Sequence, residues 1–344
     1  MKSLCYYQHG GLDVLRYDDV ADPVPGKGQV LVKVKACALN HLDIWVMRGL
    51  PGLDLEMPHW GGSDIAGVIA GLGPEVTGLE TGQRVVIDHG INPVEDEFTR
   101  RGEHSMSPRY VIIGEHTRGG LAEYIVVPEQ NAVKIPDNVD FPEACAPLLV
   151  TLTAWRMLIN RAKLRAGETV LTVGAGGGVN SASIQIAKLA GARVIVTSSS
   201  DEKLQRAMKL GADFAVNYRE QPDVAQAVHG LTDGRGVDIA VDTVGAATWP
   251  IDFAAVRRGG RIVLCGVTTG ATAETPLSTL YWNQLTILGS TMGSHEDFRL
   301  MVSAVAAAGL KPVIDRIVPL DDGPAAQARM ESGDQFGKIV LRVG

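Results

Sequence analysis

Hydrophobic and polar positions follow two different rhythms along this chain. Up to about residue 125, short apolar runs are broken by glycine and proline, and QVLVKVKACAL alternates as a half-buried strand does. GGSDIAGVIAGLG and GQRVVIDHG predict strands joined by tight turns, and GGLAEYIVVP closes this β-rich stretch. From about residue 151 strands alternate with helices. ETVLTVGA reads as a buried strand and NSASIQIAKLAGA as an amphipathic helix stopped by glycine. ARVIVTSSS is a second strand, and DEKLQRAMKLGAD a helix with acidic residues in its first turn. FAVNYRE, a helix near PDVAQAVHGLTDG, the strand VDIAVDTVG, a helix over TWPIDFAAVRRGG and the strand RIVLCGV continue the alternation. Such repetition specifies an α/β fold with a doubly wound parallel sheet. After TILGSTMG come a helix (HEDFRLMVSAVAAAGL), GLKPVIDRIVPLDD, a further helix and the strand FGKIVLRVG, which resemble the first zone. The expected organisation is a discontinuous β-rich domain, 1–150 and 290–344, around an inserted dinucleotide-binding domain, 151–289.

Composition narrows the class. Apolar residues make up 45% and charged residues 21% of 344 residues, the proportions of a globular protein rather than a disordered one. The formal charge of −7, without Lys/Arg clusters, argues against nucleic acid or an anionic membrane as partner. No run approaches the ~20 apolar residues of a membrane span. The N-terminus lacks the apolar core of a signal peptide. Cys5, Cys37, Cys145 and Cys265 are far apart, without C-x-x-C. These features imply a cytoplasmic enzyme acting on a small molecule.

Glycine is enriched, 40 of 344, and part of the excess lies in VLTVGAGGGVNSASIQIAK. Gly174, Gly176, Gly177 and Gly178 fall between a buried strand and a helix, where bare backbone N–H groups and a helix N-terminus suit a pyrophosphate. The last glycine of the G-x-x-G-x-x-G pattern is replaced by Asn180, read here as a helix cap. Ser198, at the end of the second strand, stands 20 residues beyond Gly178. An acid there would hold a ribose; Ser198, Ser199 and Ser200 with Lys203 instead favour a 2′-phosphate. NADP(H) is therefore expected over NAD(H), with Asp201 as the residue that would serve NAD(H).

The set ALNHLDIWVMRG, GGSDIAGVIAGLGPEV, GGLAEYIVVP, TLTAWRML, GAGGGVN, DEKLQRAMKLGAD and GLKPVIDRIVPL with FGKIVL resembles the medium-chain dehydrogenase/reductase superfamily over the whole chain. The resemblance implies a Rossmann domain inserted in a GroES-like catalytic domain. It also implies cofactor contacts at Thr153, Val179 and Tyr218, and at Val244, Gly266, Val267 and Thr268 after later strands. TPLSTLYWNQLTILGSTM resembles the edge strand through which such subunits pair, implying a homodimer or homotetramer.

The metal ligands of the zinc members are missing. Their cysteine falls on Asn40, their histidine on Ser63, the neighbouring acid on Asp64 and the third ligand near Leu149; the relay hydroxyl falls on Leu42. His41 and His59 with Asp64 are the remaining candidates for an unorthodox site. The second zinc lobe keeps its length, yet its cysteine positions read Pro93, Asp96, Thr99 and Ser107, so tetrahedral thiolate zinc is excluded there. An ordered but mobile lobe is expected, held by Glu95, Arg100, Arg101 and Glu103. Asn40 and Asp43 match the Asn-x-x-Asp of the quinone-oxidoreductase branch, with Trp45 where that branch often has tyrosine. Trp45, Trp60 and Trp282 are candidates for an apolar substrate cleft.

These readings lead to a zinc-independent, NADPH-dependent reductase of quinones or α,β-unsaturated carbonyl compounds. Asn40 is expected to bind the substrate oxygen, His41 or water to supply the proton, and Asp64 to orient its neighbours. The alternatives are an alcohol or aldehyde dehydrogenase of the zinc type and a non-catalytic NADP(H)-binding sensor or structural protein.

Overall fold

An antiparallel pair, β1 (Lys2–Cys5) with β2 (Arg16–Asp19), begins the chain in a computed structural model that describes residues 1–344. Then follow β3 (Gln29–Ala38), α1 (His41–Arg48), β4 (Asp64–Leu72), β5 (Arg84–Ile87), β6 (Gly90–Ile91), β7 (Val111–Ile112), β8 (Tyr124–Pro128), β9 (Ala132–Lys134) and α2 (Phe141–Cys145). In β3 the predicted alternation is seen directly: Val30, Val32 and Val34 are buried and Lys33 is exposed. Its last residues, Ala36 to Ala38, are all buried.

The chain enters its second unit through α3 (Leu148–Trp155), which continues as a π-helical turn, Arg156–Arg161. Strand and helix then alternate through β10 (Thr169–Thr172), α4 (Gly178–Leu189), β11 (Arg193–Ser198), α5 (Asp201–Lys209), β12 (Phe214–Asn217), α6 (Val224–Leu231), β13 (Val237–Asp242), α7 (Trp249–Ala255), β14 (Val256–Leu264), α8 (Leu277–Trp282) and β15 (Thr286–Gly289). All six strands are parallel, in the order β12-β11-β10-β13-β14-β15, so the order reverses between β10 and β13. Leu171, Ile195, Ala240 and Ile262 fill the core of this unit with Trp249 and Phe253.

The tail is α9 (His295–Ala307), β16 (Ile314–Pro319), α10 (Gly323–Glu331) and β17 (Lys338–Arg342). β17 pairs antiparallel with β3 and so joins the tail to the first sheet, ordered β16-β17-β3-β4-β5-β9, with β8 also on β3. One unit comprises Met1–Leu149, Gly293–Ser303 and Lys311–Gly344; the other comprises Val150–Met292 and Ala304–Leu310. The boundaries differ by a few residues from 150 and 290, and the C-terminal end of α9 clusters with the inserted unit. No helix is long and apolar enough to cross a membrane.

One element differs from the sequence expectation. The helix at TWPIDFAAVRRGG stops at Ala255, and the polar VRRGG is the start of β14. Val256 pairs with Val237, and Arg257 Nε donates to the buried Asp238 carboxylate at 2.6 Å, so a fixed partner holds an apparently loop-like sequence extended.

Candidate functional site

Strand register brings several buried polar residues to one end of the first sheet. Ala38 of β3 pairs with both Val340 of β17 and Asp64 of β4, while β5 runs antiparallel to β4 and ends just before Asp88. Lys338, Asn40, Asp64 and Asp88 therefore lie at the same end of adjacent strands.

Asn40 precedes α1, and the helix start explains its orientation. Asp43, three residues on, accepts the backbone N–H of Asn40 and of Gly62, both at 2.7 Å. With that work done by Asp43, the Asn40 side chain turns inward: Nδ2 donates to Asp64 Oδ2 at 3.0 Å and Oδ1 accepts from Lys338 Nζ. Lys338 Nζ also donates to Asp64 Oδ2 at 2.9 Å, and the Leu149 N–H donates to Asp64 Oδ1 at 2.6 Å. Asp64 is fully buried, with Asn40, Asp43 and Lys338 nearly so. Burial pushes the Asp43 carboxyl up to about 6, against the opposing pull of its two backbone donors. Gly62, at φ +98°, is needed for this turn, since a Cβ there would lie 2.8 Å from the Leu121 nitrogen.

This donor set does not fit a zinc ion. Ser63 Oγ donates to the Ile113 carbonyl at 2.6 Å, Leu149 offers a backbone N–H, and the Asp64 oxygens are taken by the amide, the ammonium and that N–H. His41 is exposed, packs near the Trp45 ring at 6.2 Å and makes no hydrogen bond to the cluster. His59 is buried beside Tyr6, with Nε2 3.4 Å from the Gly114 carbonyl. His41, His59 and Asp64 thus form no ligand set, and no group of three His, Cys, Asp or Glu is placed to hold a metal ion.

The lobe at 93–107 is organised by the residues at its former cysteine positions. Asp96 accepts the Ser107 hydroxyl at 2.6 Å and the N–H groups of Phe98 and Thr99 at 2.9 Å. Thr99 Oγ1 accepts the Asp96 N–H at 2.8 Å. Outside this knot Arg100 pairs with Glu95 and Arg101 with Glu97.

In the second unit the glycine turn joins β10 to α4. Gly174 has φ +90°, and Gly177, the N-cap of α4, brings no side chain between the helix end and a ligand; Gly178 and Val179 form the first turn. Asn180 is not the cap. It is buried in the first turn, where Nδ2 donates to the Val173 and Gly174 carbonyls and Oδ1 accepts from Thr243 at 3.1 Å. It thereby ties the turn to the segment after β13, across the point where the strand order reverses. Lys203 lies over the turn: a methyl on Gly176 would sit 3.1 Å from its Nζ. Ser198 is buried, and Ser200 caps α5 by accepting the Lys203 N–H at 3.3 Å. Ser199 is half-buried and Tyr218 exposed, its N–H bonded to the Ser198 carbonyl at 3.1 Å. Asp201 is engaged by Asn217 Nδ2 at 2.6 Å.

Val244 follows β13, its N–H bonded to Asp242 at 2.6 Å. Gly266, Val267 and Thr268 follow β14, with Thr268 Oγ1 3.5 Å from the Val244 carbonyl. A Cβ on Gly266 would meet the Thr243 carbonyl oxygen at 2.6 Å, so the loops after β13 and β14 touch backbone to backbone. Thr153 is buried in α3.

The tryptophans do not converge. Trp45 is 38% exposed on α1, Trp282 is 67% exposed on α8, and Trp60 is buried with Nε1 on the Gly119 carbonyl at 2.9 Å. A hollow of about 500 Å³ near Tyr17 and Arg342 is lined by none of the expected site residues.

Two family descriptions match the chain: "Alcohol dehydrogenase GroES-like domain" over residues 26–137 and "Zinc-binding dehydrogenase" over 178–307. A solved structure of an NAD-dependent alcohol dehydrogenase superposes with a TM-score of 0.96 at 42% identity, covering 100% of both chains. The chain belongs to the medium-chain dehydrogenase/reductase superfamily. Relatives within it carry different activities in their names. A zinc-type alcohol dehydrogenase-like protein of Schizosaccharomyces pombe is 34% identical over 97% of this chain and 96% of its own. Human quinone oxidoreductase is 29% identical over 99% and 97%. As a member of this superfamily the chain is an oxidoreductase, and the Gly174–Gly178 turn fits the pyrophosphate of the nicotinamide nucleotides that such enzymes bind.

Sequence reasoning missed Lys338. Its signal was present in FGKIVLRVG, where a lysine heads a run of buried residues; Lys338 to Leu341 are all buried.

Proposed function

We propose that this enzyme is a zinc-independent, NADPH-dependent reductase of quinones or α,β-unsaturated carbonyl compounds. The observation that carries the reading is the buried Lys338 ammonium among Asn40, Asp64 and the Leu149 N–H, positions that in the zinc members surround the metal. Bound nicotinamide supplies a hydride to the electron-poor carbon of the acceptor. The chain's own residues then meet the negative charge that develops on the acceptor oxygen. Asn40 commits one amide N–H to Asp64 and offers the other. Lys338 commits two of its three N–H donors and offers the third. Asp64 holds both donors in place.

Lys203 over Gly176, with Ser198 and Ser199 nearby, supports NADPH over NADH, because an ammonium and hydroxyls suit a phosphate. Asp201, bound to Asn217, is already occupied by another partner. The exposed β15 edge and the exposed Leu277, Tyr281 and Trp282 on α8 support a homodimer or homotetramer built by pairing at this edge.

Titrating NADPH and then following nicotinamide absorbance with quinones, enones and aldehydes tests the reading. Turnover of quinones or enones is expected. Stoichiometric zinc in protein purified without chelators, together with alcohol oxidation, would establish the zinc-type dehydrogenase instead. Tight NADPH binding without turnover of any acceptor would favour a sensor.

A further inference from the structure

We infer that His89 passes the proton that completes the reduction, drawing it from the surface through Asp88, His295 and His104. This rests on the reductase reading above and supplies what that reading lacks, since His41 makes no hydrogen bond to the Asn40–Asp64–Lys338 cluster.

His89 follows β5 and is fully buried, packed edge-on against Phe298 of α9 with ring centroids 6.0 Å apart. Neither ring nitrogen has a hydrogen-bond partner within the protein. A buried polar group in that state is costly, and an imidazole left so has a role for a small polar partner such as water. The backbone fixes its place: the His89 carbonyl accepts the Ile113 N–H at 2.9 Å, and the Ile113 carbonyl accepts the hydroxyl of Ser63, next to Asp64. The charged groups that act on the ring are Asp88 and Asp64, which favour its protonated form, and Lys338 and His295, which oppose it. Burial outweighs them and pushes the His89 pKa down. A neutral imidazole has one N–H donor and one acceptor nitrogen, the state in which a ring gives a proton at one nitrogen while taking one at the other.

From His89 the row leads outward. Asp88 Oδ2 lies 2.6 Å from His295 Nδ1, and Asp88 Oδ1 accepts the Gly90 N–H at 3.2 Å. The His295 and His104 rings are 4.5 Å apart, and both line an open hollow of about 380 Å³ with Asn92, Gln130 and Arg100. Asp88, His295 and His104 thus lead to the surface within the same unit of the fold that holds His89 and the buried ammonium.

The balance is simple. The hydride brings two electrons and a hydrogen to the acceptor carbon, leaving the acceptor oxygen anionic. A His89 N–H then breaks and its proton neutralises that anion, directly or through water. The other His89 nitrogen takes a proton relayed from the Asp88–His295 pair, which is reprotonated from solvent at His104. Nothing else is oxidised or reduced.

The test compares wild type with His89→Phe, His89→Ala and His295→Asn. In His89→Phe, kcat for the quinone or enone is expected to fall about 100-fold or more, with NADPH affinity unchanged. Added imidazole is expected to restore part of the rate in His89→Ala and none in wild type. His295→Asn is expected to lower kcat less and to shift its pH profile. If His89→Phe does not fold, His89→Gln, polar but unable to shuttle a proton, carries the same expectation. Wild-type kcat and pH profile in the His89 variants would overturn the relay. Should wild type reduce none of the acceptors, the reductase reading falls separately. Imidazole NMR titrations without acceptor then decide the relay: Asp88→Asn is expected to alter the His89 and His295 titrations together, and independent titration would overturn it.

Discussion

Lys338 Nζ lies 2.9 Å from Asp64 Oδ2, an ion pair between residues 274 positions apart in which neither side chain is more than 5% exposed. Removing one member of such a pair leaves an uncompensated buried charge, which costs more than the pair contributes when intact. Lys338→Met is therefore expected to destabilise the fold by about 3–5 kcal/mol. Combining it with Asp64→Leu is expected to recover most of that loss. Urea unfolding of the two variants measures both, and a cost below about 1 kcal/mol for the single change would show that the pair is not buried in solution.

Lys203 gives a cofactor prediction. A charge-assisted hydrogen bond contributes about 1.5–3 kcal/mol, so Lys203→Ala is expected to weaken NADPH binding about 10- to 100-fold. NADH binding should change little. Calorimetric titration with both nucleotides reads the difference, and equal losses would point to the pyrophosphate rather than the 2′-phosphate.

His59 predicts acid sensitivity. Burial pushes its pKa from 6.5 down to about 4, so the unfolded chain binds a proton that the folded one refuses. Its contribution is complete above pH 6.5 and is lost as pH falls towards about 4, reaching roughly 2 kcal/mol of lost stability by pH 5. Asp43, raised from 3.8 to about 6, acts with the opposite sign, losing stability as pH rises across that interval. His59→Gln should remove only the first effect, so its stability should fall less than that of wild type between pH 7 and pH 5 in denaturant titrations.

The Asp96 knot predicts local loosening without global loss. Asp96→Ala leaves the Ser107 hydroxyl and the N–H groups of Phe98 and Thr99 without their acceptor. Trypsin is expected to cleave after Arg100 or Arg101 faster than in wild type, while the thermal midpoint moves little. A large drop in midpoint would mean that the lobe is part of the global folding unit.

The β15 edge predicts assembly. Trp282→Asp with Ile287→Lys places charge on an exposed apolar surface at a sheet edge. Sedimentation velocity is expected to show a smaller species than wild type, and an unchanged species would remove this edge from consideration.

The doubly wound sheet was legible because its evidence is local: apolar runs such as ETVLTVGA alternate with amphipathic helices, and each repeat predicts its neighbour. The same holds for the glycine turn, where strand, glycines and helix are contiguous. Local reasoning failed at RRGG, which looks like a loop until Arg257 is seen to reach Asp238. It also misread Asn180 as a cap, since its partners Val173 and Thr243 belong to two different strand ends.

Sequence alone determined that thiolates are missing from both zinc positions, because a cysteine is either there or not. What takes their place was decided by tertiary structure. Lys338 reaches Asp64 only because β17 pairs with β3 and β3 with β4, and His89 shares that end of the sheet only because β5 pairs with β4. Hydrogen-bond register between strands distant in sequence is a long-range property, and it sets which buried charges meet.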